Sequence, residues 1–426
     1  MKRWIPGAIF FLAACAVPLQ AAQPNQLLRD GDHVMMFGDS ITALGINPMF
    51  VSDYLLMCKP AASLGLTCIA RGGETATGCS AYAGVDMRIK PTVITTLFGW
   101  NDGGYSGPLT EDRAKANRDG LTKIVNDAKK AGVRLIVIGS PTCGDPDFGY
   151  SSNVQKAAEY NKVLAGLRDV GRDVAKKEGV RFAEIHDLMM GVLAKAKAKY
   201  GKRNYCFSRD AEYDGGCHVS ESGQLVIAYA LLKAMGCDGD IGRITVDLAA
   251  GKAEAIDGHK VLSMANGQVE IESSRYPFCF YGDDTVKATS TRNVIQFLPF
   301  NEDLNRFMLI VRNLGAGKAK VTWGATSKEF SAAQLEKGIN LAAEFLDNPF
   351  SEPFARAEQA IKGHQGGYTL TELLHPLPLY EQYLPTEKAL TDKMFTIIAD
   401  RCRQERDAAS AAVVPVKHTI KIEAVK

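Results

Sequence analysis

The 426-residue sequence has no Cys-x-x-Cys pair, and its seven histidines do not cluster with its ten cysteines. A structural zinc site needs closely spaced sulfur and nitrogen ligands, so none of the spacings reads as one. An excess of one charge is missing too, since 50 Lys and Arg face 48 Asp and Glu for a net charge of +2. A chain so near neutrality has no basic field to attract nucleic acid or an anionic membrane. Beyond the N-terminus no apolar run approaches the roughly 20 residues that a membrane-spanning helix needs. Internal repeats and low-complexity segments are also lacking, and nothing in the composition sets an oligomeric state. What is present is a globular composition, 46% hydrophobic and 23% charged, in a chain long enough for two or three domains.

The N-terminus reads as a targeting segment. Lys2 and Arg3 precede the apolar run WIPGAIFFLAACAVPL, and the small residues Ala21 and Ala22 follow it. This is the pattern of a signal peptide over residues 1–22, which predicts export to the periplasm or the outside. Leu12-Ala13-Ala14-Cys15 also resembles a lipobox, which would leave a lipidated Cys15 at the mature terminus. The apolar run continues past Cys15, which favours ordinary cleavage near Ala21 or Ala22. Export makes disulfides chemically possible, and the nine remaining cysteines include two close-spaced pairs, Cys58 with Cys68 and Cys206 with Cys217.

From residue 33 to 237 strand and helix alternate. HVMMFG, LTCIAR, TVITTLFG, VRLIVIG and VRFAEI read as strands, with helical stretches at 48–58, 111–132, 153–178, 185–200 and 220–236. Strands that are apolar throughout, separated by amphipathic helices, predict a doubly wound α/β domain with a parallel sheet. We assign it to residues 23–240. Residues 241–346 favour strands and turns. VLSMANGQVEIE holds Asn266-Gly267 between alternating segments, a hairpin signal, and FMLIVRNLGAGKAKVTWG repeats the design with a glycine-rich loop. This predicts a small antiparallel β domain of sandwich type. Residues 347–426 read as C-terminal helices and a tail, KHTIKIEAVK, that alternates like a strand.

Chemistry-bearing residues fall at strand ends, where doubly wound sheets bind ligands. The first strand ends in FGDSIT, placing Ser40 where its hydroxyl and its backbone N–H can both meet a substrate. The second is followed by GGET and the third by GWND. Glycine lets the backbone approach a ligand closely, and an asparagine amide is a fixed donor, so Ser40, Gly73 and Asn101 together could form an oxyanion hole. Far downstream, EYDGGCHVSESGQ holds His218 just before a helix start. Trp100 and Tyr105 are candidates for a substrate pocket, and a packed core aromatic is an equal account of Trp100.

GDSIT, GGET, GWND and the late histidine, in that order, resemble the four blocks of the SGNH (GDSL-type) hydrolase superfamily over about residues 33–237. The resemblance implies a flavodoxin-like parallel sheet and an esterase acting through an acyl-enzyme. Ser40 would be the nucleophile, His218 the base, and Ser40, Gly73 and Asn101 the oxyanion donors. Gly73 is preferred to Gly72 because it immediately precedes Glu74-Thr75. No metal or organic cofactor is implied. The implied substrate is a small acyl ester, above all an acetylated carbohydrate.

One feature departs from the family pattern. The family places aspartate three residues before the histidine, where this chain has Gly215, and Asp214 stands four before. Gly215-Gly216 can absorb the extra residue as a bulge, leaving Asp214 as the orienting acid. Asp210 or a backbone carbonyl is the alternative. An acyltransferase, a short-chain lipid or aryl esterase, and a non-catalytic carbohydrate-binding module are the competing functions. The remaining histidines, at 33, 186, 259, 364, 375 and 418, carry no motif; His186 reads as a packing or capping residue, and His364, His375 or His418 could complete a cleft only if the C-terminal part folds back.

Overall fold

The computed structural model describes residues 28–59, 61–149, 157–283, 285, 287–362 and 367–425, with the backbone alone for 367–370. The signal segment, Cys15 and His364 lie outside the described residues. Five strands, β1 (His33–Gly38), β2 (Gly65–Ala70), β3 (Val93–Leu97), β4 (Leu135–Gly139) and β5 (Arg181–Ala183), form a parallel sheet of order β2-β1-β3-β4-β5. Their continuous apolar runs follow from burial on both faces. Val34 and Met36 point to one side and Met35 and Phe37 to the other, as the two-residue period of a strand requires, and all four are buried.

The helices of this unit are α1 (Ser40–Ala43), α2 (Ile46–Asp53), α3 (Ala76–Asp86), α4 (Glu111–Lys130), α5 (Ala157–Glu178), α6 (His186–Tyr200), α7 (Ala211–Asp214) and α8 (Glu221–Ala234). Among them α3 is absent from the sequence expectation. It has no strong apolar stripe, and its start is set by Thr75, whose hydroxyl accepts from Gly78 N–H at 3.0 Å. One face of the sheet is covered by α3, α4 and the C-terminal helices, through Ile124, Val125, Leu374, Leu377 and Phe395. The other packs on α2, α6 and α8.

Nine further strands make two sheets. β6 (Asp240–Asp247), β7 (Lys252–Ala255), β10 (Arg306–Arg312) and β13 (Ile339–Asn340) form one, in the order β13-β10-β6-β7. β8 (His259–Ala265), β9 (Gln268–Ser273), β11 (Lys318–Trp323), β12 (Thr326–Ser331) and β14 (Val416–Val425) form the other, in the order β12-β11-β14-β9-β8. The Asn266-Gly267 hairpin is present between β8 and β9, with φ of 50° and 75° at the two turn residues.

Three expectations for this region change. FMLIVRNLGAGKAKVTWG is not a hairpin, because β10 pairs with β6 and β13 while β11 pairs with β12 and β14. The two segments alternate alike because their apolar sides face each other across the sandwich, with Phe307 and Trp323 ring centroids 5.5 Å apart. The first sheet is mixed, since β6 and β10 run parallel. The tail KHTIKIEAVK is β14, an interior strand between β11 and β9, so a division at residue 346 cuts through the second sheet.

A chain of hydrogen bonds threads the sandwich. Trp323 Nε1–H donates to His418 Nδ1 at 3.1 Å, His418 Nε2 meets Ser273 Oγ at 2.8 Å, Ser273 Oγ meets His259 Nδ1 at 2.8 Å, and His259 Nε2 meets Ile241 O at 2.9 Å. An indole N–H only donates and a carbonyl only accepts, so His418 Nδ1 accepts and its Nε2–H donates to Ser273, while His259 Nε2–H donates to Ile241 O. His418 is therefore neutral with its proton on Nε2. Burial pushes His418 down to about 3 and lowers His259 as well.

The units are bonded together. Tyr276 N–H donates to Met57 O at 2.8 Å, and Arg275 spans Cys58 O and Asp240 O. The helix Ser351–Lys362 packs on α2, while Gly367–Leu374 and Lys388–Ala411 lie against β2. Among the described residues all nine cysteines are free thiols, so neither close-spaced pair is bonded, and no helix is long and apolar enough to cross a membrane.

Candidate active site

Strand register brings the three upstream blocks together. Gly38 aligns with Ala70 on one side and with Leu97 on the other, so FGDSIT, RGGET and FGWND leave the same sheet edge side by side. Gly38 is required by crowding, since a Cβ there would lie 2.1 Å from Thr42 Oγ1. Asp39 caps the turn that follows, its Oδ1 accepting from Ile41 N–H at 2.9 Å, and Ser40 opens α1 half-buried. Burial raises Asp39 to about 7, against the pull of the Ile41 hydrogen bond, and Asp102 raises it further while His218 opposes.

The second and third loops are tied to each other. Asn101 Nδ2 donates to Glu74 O at 2.8 Å, and Asp102 Oδ1 accepts from Ala76 N–H at 3.0 Å and from Asn117 Nδ2 at 2.9 Å. Tyr105 donates its hydroxyl to Asn101 Oδ1 at 2.7 Å, which fixes the amide's orientation. Gly73 is exposed with φ of 76°, and open space surrounds the position a Cβ would occupy. Trp100 is not a pocket residue. It is 1% exposed, its indole N–H bonds Thr142 Oγ1 at 2.6 Å, and it packs on Tyr105 and Tyr160. Tyr105 is half-buried and acts on Asn101 through that hydroxyl.

The late histidine arrives on the loop between α7 and α8. His218 Nε2 lies 2.9 Å from Ser40 Oγ, and its side chain is 46% exposed, so the pair opens to solvent. Asp214 closes α7, and Gly215 and Gly216 follow at φ of 60° and 82°. Two successive left-handed residues reverse the chain, and Asp214 then receives Gly216 N–H at 2.8 Å on Oδ1 and His218 N–H at 2.9 Å on Oδ2. That second oxygen is also 3.4 Å from His218 Nδ1. Asp210 instead lies exposed at the start of α7, with its carbonyl accepting from Tyr213 and Asp214.

These contacts set the charges. The Asp214 hydrogen bond raises the His218 pKa against its burial. For Asp214 burial alone would raise the pKa, but the hydrogen bonds from the His218 ring, His218 N–H and Gly216 N–H outweigh it and lower it. The arrangement holds Asp214 ionised beside the His218 ring. Beside Asn101 is a cavity of about 330 Å³ lined by Thr75, Thr77, Asn101, Asp102, Asp112 and Arg113. Among the described residues no group of three or more His, Cys, Asp or Glu side chains could hold a metal ion.

Two polar residues missed in the sequence also belong here. Asn47 and Gln224 are fully buried and hydrogen-bonded to each other at 2.6 Å. No sequence signal marked them, since neither carries a motif and 177 residues separate them.

Residues 36–224 match the model of the GDSL-like Lipase/Acylhydrolase family. A gut microbial diltiazem-metabolizing enzyme is similar in structure with a TM-score of 0.65 at 21% identity, over 93% of this chain and 98% of that one. The likeness thus extends over the parallel sheet and both further sheets. An acetyl-xylooligosaccharide esterase of Geobacillus matches 49% of this chain and 96% of its own, at a TM-score of 0.38 and 16% identity. A putative GDSL-like lipase from Parabacteroides merdae matches 50% of this chain and 99% of its own, at 0.40 and 18%. No curated protein sequence matches the chain.

Proposed function

We propose that this chain, whose residues 36–224 match the GDSL-like lipase/acylhydrolase family, is an exported serine esterase removing small acyl groups, above all acetyl, from carbohydrate. The observation that carries the reading is the 2.9 Å contact between Ser40 Oγ and His218 Nε2, with Asp214 Oδ2 on the far side of the ring. Ser40 Oγ attacks the ester carbonyl as its proton passes to His218 Nε2. The oxyanion is held by the N–H groups of Ser40 and Gly73 and by Asn101 Nδ2, whose second proton is the donor beyond the one bonded to Glu74 O. His218 then returns the proton to the departing alcohol oxygen. Water repeats the sequence, giving up a proton to His218, releasing the carboxylic acid and restoring Ser40.

Hydrolysis is favoured over acyl transfer to a bound acceptor by the exposure of His218, which gives water direct access. The carbohydrate assignment is supported by the cavity beside Asn101, whose threonine hydroxyls, Asp112 and Arg113 offer both donors and acceptors to a polyol. Export is supported by Lys2, Arg3 and the apolar run that follows them.

The test is acetate release from acetylated oligosaccharides, and cleavage of p-nitrophenyl esters of increasing chain length, by wild type and Ser40→Ala. Acetyl esters should be preferred and Ser40→Ala should be inactive. A preference for long acyl chains would sink the substrate assignment, and equal rates in both proteins would sink the mechanism.

A further inference from the structure

We propose that Gln224, held by Asn47, is a positioning residue that sets the distance between nucleophile and base. The proposal rests on Ser40 and His218 acting as described above. The Gln224 amide nitrogen donates to Ile41 O at 3.2 Å and to Val219 O at 3.1 Å. Ile41 directly follows Ser40, and Val219 directly follows His218. One side chain thus uses both of its N–H protons to hold the residues after nucleophile and base. Asn47 completes the clamp: its Nδ2 donates to Gln224 Oε1 at 2.6 Å and to Ile41 O at 3.3 Å.

Placement explains why a side chain is needed there. The Ser40 turn leaves the first strand, while His218 sits on a glycine-rich loop 178 residues further along the chain. Among the described residues no strand pairing joins the two segments. Their direct bond is Ser40 to His218 itself, and the reaction must break and remake that bond at each proton transfer. A rigid link one residue away keeps the two groups in register while it does so. All four residues, Ile41, Asn47, Val219 and Gln224, are buried, so water cannot replace the missing bonds in a variant. Misplacement of reacting groups by about 1 Å can cost on the order of 100-fold in rate.

Gln224→Met keeps the length and volume of the side chain and removes all three hydrogen bonds. Asn47→Leu removes the second half of the clamp and serves if Gln224→Met does not fold. Rates are taken per active site, counted by labelling to completion with a fluorophosphonate, so that a partly unfolded sample does not mimic a slow enzyme. Ser40→Ala is measured beside them on an acetyl ester. The expected result is a fall in kcat per labelled site of about 10- to 100-fold. KM should stay within about threefold of wild type and labelling should slow by the same factor as kcat, because the loss lies in the chemical step. The acid limb of the pH–rate profile should keep its midpoint, since Asp214 still faces His218. Wild-type kcat per labelled site in the folded variants, with Ser40→Ala inactive, overturns the clamp and leaves the esterase reading intact. An active Ser40→Ala overturns both.

Discussion

Replacing His418 with phenylalanine should destabilise the protein at neutral pH and cease to do so in acid. The native histidine sits at about 3, because burial excludes its charge and His259 lies close enough to oppose it further. In the unfolded chain the same group titrates near 6.5. A histidine depressed in the fold contributes its full stability above the unfolded value, and loses it as pH falls from there toward the native value. At about pH 4 that loss is roughly 3 kcal/mol. Phenylalanine has no proton to take up and suits a site where Phe350 and Phe307 rings lie 4.9 and 6.0 Å from the imidazole. It does strand the Trp323 N–H, which costs about 1–3 kcal/mol at any pH. His418→Phe should therefore be about 1–3 kcal/mol less stable than wild type near pH 8, and equal to it or more stable near pH 4. His33 is also lowered by burial, but it titrates alike in both proteins and cancels in the difference. Urea unfolding followed by circular dichroism at the two pH values measures it. Parallel destabilisation at both values would refute a neutral His418.

The remaining predictions concern the site. Asp214→Asn places an amide N–H against backbone donors and removes the charge that raises the His218 pKa, so kcat/KM should fall by about 100- to 10,000-fold. Activity requires neutral His218 and so rises with pH through its pKa. In that variant the acid limb should move to lower pH, while Asp210→Asn leaves rate and profile unchanged. Asn101→Ala should lower kcat by about 100- to 1,000-fold with little change in KM. Gly216→Ala forces a side chain to φ of 82° and a Cβ to 3.0 Å from Asp145 N, so it should lower stability by about 1–2 kcal/mol and displace the His218 loop, read as loss of both Tm and rate.

The parallel sheet and its edge were legible because apolar strands alternate with amphipathic helices and three strand ends carry glycine-containing loops. The β sandwich was legible in kind and not in pairing. The alternation of Phe307, Leu309 and Val311, and of Ala319, Val321 and Trp323, is the same for strands side by side and strands facing across a core. Trp100 stands next to Asn101 in sequence, yet a one-residue step along an irregular loop turns it into the core. Asp214 was legible as a candidate, and its approach to His218 depends on the backbone conformation of Gly215 and Gly216. Gln224 and Asn47 were not legible, because the contact joins residues 177 apart and neither carries a motif.

The central claim is that Ser40 is a nucleophile activated by His218. Intact-mass measurement of the full chain after exposure to a fluorophosphonate at neutral pH tests it most directly. The account predicts one covalent adduct per chain, mapped to Ser40, absent in Ser40→Ala and formed much more slowly in His218→Ala. No adduct on the wild type, or the same adduct on Ser40→Ala, would contradict it.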